Sequence, residues 1–103
     1  MPTLNEALTY LGYDVTDDDM VNANVTRCLR TAEAVLHGAV GEDVATYLPE
    51  DPRVDELVLI YMEDLYSQRG LAAKVTNATR RLVADMELQL QLELRQAKEA
   101  AGA

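Results

Sequence analysis

The stretch "MELQLQLELRQ", residues 86–96, decides the fold class. Leu88, Leu90, Leu92 and Leu94 alternate with polar residues, which is the period of a half-buried strand. The residue types point the other way. Met, Glu, Leu, Gln and Arg all favour helix, and so do the Ala, Lys and Glu residues around them. Propensity decides for helix. On a helix, Leu82, Val83, Met86, Leu90, Leu94 and Ala97 form one stripe. Leu88 and Leu92, four apart, face another side. A second leucine face with no partner inside a small domain is the pattern of an interface.

The rest of the chain reads outward from this helix as a small all-α bundle. Thr3 with Glu6 makes a capping box for a helix over 3–11. Leu4, Ala7, Leu8 and Leu11 line its face, and Gly12 is its stop. Thr16 is the expected cap of a second helix, from about 17 to 40. Asp17, Asp18 and Asp19 in its first turn complement the helix macrodipole. Its stripe is Val21, Val25, Cys28, Leu29, Ala32, Val35, Leu36, Ala39 and Val40, and Gly41 ends it. In "GEDVATYLPEDPRV", Val44, Tyr47 and Leu48 suit one helical turn or a tuck under the domain. Asp51 and Pro52 then open a third long helix, 52–68. There Val54, Leu57, Val58, Tyr61, Met62 and Leu65 follow the helical period. Leu59, Ile60 and Tyr66 add apolar surface beyond that stripe, so this helix is expected at the centre. "SQRGLAAKVTN" reads as a mobile loop over 70–76. The closing helix starts near Thr76 or Asn77, forms an arm over 76–100 and frays at 101–103.

The bulk numbers set limits. A chain of 103 residues is one domain, 1–103, with a single modest core. Hydrophobic residues make up 49%, including five Tyr but no Phe or Trp. The core is therefore aliphatic, which suits helix packing. A net charge of −9 opposes a grip on nucleic acid, which needs basic patches. One cysteine excludes an intrachain disulfide framework. No apolar run is long enough for a membrane span. "MPTLNEALTY" lacks the basic and apolar regions of a secretory signal, so a reducing, cytoplasmic origin is the expectation.

Catalytic and metal chemistry find little support. Asp14, Thr16 and Asp18 have the one-three-five spacing of a calcium loop. The sixth and twelfth positions need Gly and Glu but hold Asp19 and Val25. Cys28 lies mid-helix on an apolar stripe, where a buried hydrophobe is the default. His37 has no partner in any catalytic motif, and nucleotide-loop and zinc motifs are missing. The expectation is a non-enzyme without cofactors. A DNA mimic would need its carboxylates in a duplex-like row, but here they are scattered among helix starts, the 50–56 turn and the last helix. On the closing helix, Arg80, Arg81, Arg95 and Lys98 intersperse with Glu87, Glu93 and Glu99. That is either a salt-bridged helix surface or a docking arm.

Three stretches together resemble a known family: "LNEALTYLGYDVTDDDMVNANVTRCLRTAEAVLHGAVG", "DPRVDELVLIYMEDLYSQRG" with Tyr66 and Arg69, and "ATRRLVADMELQLQLELR". Their order and spacing resemble the head–tail connector (adaptor, head-completion) proteins of siphovirus-like tailed phages, over about residues 4–96. The resemblance implies a structural virion protein at the head–tail interface, made in the host cytoplasm. It implies a homo-oligomeric ring of about a dozen copies beneath the portal protein. The ring would extend the DNA channel, pass DNA without specific binding, and meet a stopper or tail-side adaptor below. It implies that the C-terminal segment engages the portal, which singles out Leu88, Leu92, Arg95 and Lys98 as interaction residues. Tyr66 and Arg69 match a structural motif that ties a loop to the core helix. A dimeric helical regulator is the alternative reading of the same residues.

Overall fold

The computed structural model describes residues 1–14, 18–67 and 77–102, with nothing said of the side chains of residues 77–79. Five helices follow one another: α1 (Leu4–Tyr10), α2 (Asp19–Ala39), the single turn α3 (Val44–Tyr47), α4 (Pro52–Ser67) and α5 (Asn77–Gly102). No strand occurs among the described residues. The fold is all-α, and the alternating leucines lie on a helix.

The helix ends follow from local hydrogen bonding. Thr3 accepts from the Glu6 N–H while Glu6 accepts from the Thr3 N–H, each at 3.2 Å, so the capping box forms. Gly12 follows in the left-handed region at φ +87°. The cap of α2 is Asp18, whose Oδ1 accepts from the N–H groups of Met20 and Val21. This corrects the expected start by two residues. A carboxylate both accepts these bonds and opposes the positive end of the macrodipole, which a hydroxyl does less well. Thr16 itself lies outside the described residues, as do Arg69 and the segment 70–76 expected to be a loop. Asp51 accepts from the Arg53 N–H at 2.9 Å and opens α4 behind Pro52. At the other end of the chain, α5 continues through Ala101 to Gly102, into the tail expected to fray.

The core is one aliphatic cluster. α2 packs chiefly on α4, α1 lies against both, and α5 packs on α4 and α3. Leu8, Val25, Leu36, Val44, Leu57, Val58, Met62 and Leu90 are fully buried. No polar or charged residue is buried among the described ones. Leu59, Ile60, Tyr61, Leu65 and Tyr66 all pack on the cluster, so α4 is covered over most of its circumference and is the central helix. Two stripe residues depart from expectation. Val35 is 43% exposed, at the edge of its stripe, and Leu82 is 55% exposed. For Leu82 the reason is geometric. Each step of four residues advances about 40° round a helix, so 82, 86, 90 and 94 wrap too far to share one flat contact. Val83, nearer the middle of the inward face, packs on the core instead.

Candidate interaction surface

The inward face of α5 is clamped along its length. Met86, Leu90 and Leu94 are buried, with Val83 and Ala97 half-buried beside them. Polar contacts flank this stripe. The Tyr61 hydroxyl donates to Glu87 from α4. Burial, then that carboxylate, push the phenol's pKa well above its ordinary value. Arg53 is the hub. Its guanidinium holds Asp51 at 2.6 and 2.9 Å, donates to Gln89 Oε1 at 3.1 Å, and pairs with Glu93. The hydrogen bond from Arg53 is the main cause of a lowered Asp51 pKa. The Gln91 amide donates to the Ala39 carbonyl at 2.5 Å, satisfying an orphan acceptor at the C-terminus of α2. Lys98 pairs with Asp43 at 2.8 Å.

Gly41 makes the close approach between α5 and the end of α2 possible. Its φ is +148°, and a Cβ there would lie 2.6 Å from Leu94 Cδ2. A side chain there would be strained by the backbone and would push the end of Leu94 aside. The sequence marks Gly41 as a helix stop. That Leu94 packs on it is tertiary information with no local signature.

The outward face carries no such contacts. Leu88 is 55% exposed and Leu92 50%, on the side away from Leu90. Arg95 is exposed beside them, and with Lys98, Glu99, Gln91 and Leu94 it borders an open depression over Val40 and Gly41. The four interaction residues therefore divide. Leu88, Leu92 and Arg95 point to solvent, while Lys98 holds α5 to the loop before α3. Of the two readings of the α5 charges, Glu87, Glu93 and Lys98 follow neither within the helix, since each bonds to the body of the domain.

Tyr66 sits at the far end of α4. Its hydroxyl lies 3.1 Å from that of Tyr13, and the rings meet edge to face with centroids 6.3 Å apart. Tyr66 thus fastens the turn after α1 to the core helix. Sequence reasoning missed Tyr13 here, and it missed Arg53 as a hub. The run "DPR" held a signal for Arg53, since a cation two residues after a capping Asp can reach back to it.

Other surfaces offer less chemistry. An open groove runs between α1 and α4, lined by Asn5, Glu6, Thr9, Tyr10 and Leu59. The Tyr10 phenol there is pushed up to about 12 by burial and by the charges of Glu63 and Glu56. Cys28 is buried. His37 Nε2 is shielded from solvent and bonds to no described residue. Among the described residues no cluster could hold a metal, and no helix is long and apolar enough to cross a membrane. No family model, curated protein or solved structure matches the chain.

Proposed function

We propose that this chain is a structural virion protein, a head–tail connector subunit that assembles into a ring under the portal of a tailed phage. The ring extends the DNA channel and joins the head to a stopper or tail-side adaptor. The observation that carries this reading is the outward face of α5: two leucines held at the surface of a helix whose other face is firmly anchored. Leucines exposed on a rigid helix suit docking better than folding. The order of a short helix, a long helix, a central helix and a long closing helix agrees with the resemblance. The charge of −9 supports a lumen that lets DNA slide without gripping phosphate. No catalytic step or cofactor enters this function. A ring needs a heterologous contact, in which one patch meets a different patch on the next subunit. The face of α5 supplies one such patch, to the neighbour or to the portal.

Co-sedimentation with a purified tailed-phage portal ring tests this. The wild-type chain travels with the portal, and Leu88→Glu with Leu92→Glu abolishes this while circular dichroism stays helical. Unchanged binding of the folded double variant would contradict the role given to α5. Absence of any binding by the wild type would contradict the connector reading itself. A second reading, a dimeric helical interaction module, is favoured by the order of charges around Leu88 and Leu92.

A further inference from the structure

The outward face of α5 is self-complementary. Residues 81, 85, 88, 92, 95 and 99 follow one another at alternating steps of four and three, the spacing of a coiled-coil seam. All six are exposed. In order they are Arg81, Asp85, Leu88, Leu92, Arg95 and Glu99. Turning the helix end over end about residue 90 exchanges Arg81 with Glu99, Asp85 with Arg95, and Leu88 with Leu92. Every layer then brings together opposite charges or two leucines. A parallel pairing would set Arg81 on Arg81 and Asp85 on Asp85, like charge on like charge at each polar layer.

We infer that the free protein forms an antiparallel, two-fold pair with a second copy of itself through this seam. Three further observations agree. None of Arg81, Asp85, Arg95 and Glu99 makes an ion pair with a described residue, whereas Glu87, Glu93 and Lys98 on the inner flanks are all engaged. The domain body packs on the opposite side of α5, through Met86, Leu90 and Leu94, so each body is carried away from the contact. The seam spans eighteen residue steps, about 27 Å of straight helix. With only two leucines per chain the pair is concentration-dependent. A two-fold contact closes on itself and cannot propagate into a ring. The pair is therefore the form of the unassembled chain. If the same face serves the ring or the portal, assembly must open the pair.

A charge-swap cycle read by light scattering tests the seam. Wild type moves from the mass of one chain, 11.4 kDa, toward twice that mass as concentration rises. Asp85→Arg alone sets Arg against Arg95 twice per pair and raises the dissociation constant about tenfold or more. Arg95→Asp alone sets Asp against Asp85 with the same effect. Both substitutions together restore the wild-type mass curve, because each swapped residue again meets its opposite. Both sites are exposed, and helical circular dichroism checks the fold of each variant. Arg81→Glu with Glu99→Arg repeats the cycle at the outer layer. A single-chain mass for wild type at every concentration would overturn the pair. So would a double swap that stays dissociated, which is the behaviour of a heterologous contact, or single swaps that leave the mass curve unchanged, which is that of a parallel one. Neither result bears on portal binding, which the co-sedimentation decides separately.

Discussion

α4 and α5 both carry more apolar residues than one helical stripe needs, yet the surplus has different fates. On α4, Leu59, Ile60 and Tyr66 pack against the core. On α5, Leu88 and Leu92 remain at least half exposed. The two helices have similar local signals. What separates them is position. α4 has α1, α2 and α5 around it, whereas α5 packs on α4 and α3 from one side. A surplus apolar face is absorbed on a central helix and presented on a peripheral one. The same contrast divides α5 itself, with one face for folding and the other for assembly.

The largest effects should separate those two faces. Leu90→Ala empties a fully buried site and should cost about 2–5 kcal/mol in urea unfolding. Leu88→Ala should change single-chain stability by no more than about 0.5 kcal/mol when measured on dilute protein. Equal losses at the two positions would erase the contrast.

Gly41→Val should be the next most damaging, at about 1–3 kcal/mol. It puts a branched side chain at positive φ and drives it into Leu94. Thermal unfolding reads the loss, and exchange of the α5 amides shows whether the helix lifts. Gly41→Val should cost less in a Leu94→Ala background than in the wild type, because the clash is with that side chain.

Arg53→Met should cost about 1 kcal/mol near neutral pH, since the hub is partly exposed and screened. The loss should depend on pH. Asp51 titrates below its ordinary value of 3.8 in the folded chain, so its pairing contributes fully above that value. The contribution fades as pH falls through the lower folded pKa. The stability gap between wild type and Arg53→Met should therefore narrow in acid and stay open at pH 6, as followed by urea titrations at each pH.

An effect of similar size belongs to the Tyr61–Glu87 bond. Burial and Glu87 hold the Tyr61 pKa above its ordinary value of 10.0, so its share of stability is full below pH 10 and declines above it. Tyr61→Phe should cost about 1 kcal/mol below pH 10, in the range of one hydrogen bond. It should also lessen the fall in stability above that pH in alkaline urea titrations.

Much of this fold is legible in the sequence because its signals are local. The capping box of Thr3 and Glu6, the stop at Gly12 and the Asp51–Pro52 start each need only neighbouring residues. The apolar periods of α2 and α4 also name most of the core. The start of α2 is less legible, because Thr16 and Asp18 are both competent caps by residue type and only the better match of a carboxylate to the helix dipole favours Asp18. Leu82 misleads because a row at spacing four drifts round the helix. The candidate surface is half legible. Leu88 and Leu92 stand out as lacking a partner. The engagement of Lys98 with Asp43, and of Arg53 with Glu93 and Gln89, joins positions 36 to 55 residues apart in the sequence. No local pattern encodes such a pairing, which exists only once α5 has docked.

The outward face of α5 serves association and not folding. The most direct test of this is the light-scattering mass of Leu88→Glu with Leu92→Glu beside wild type over the same concentration range. Wild type should climb from 11.4 kDa toward twice that mass while the variant stays at 11.4 kDa. Identical mass curves for the two proteins would contradict it.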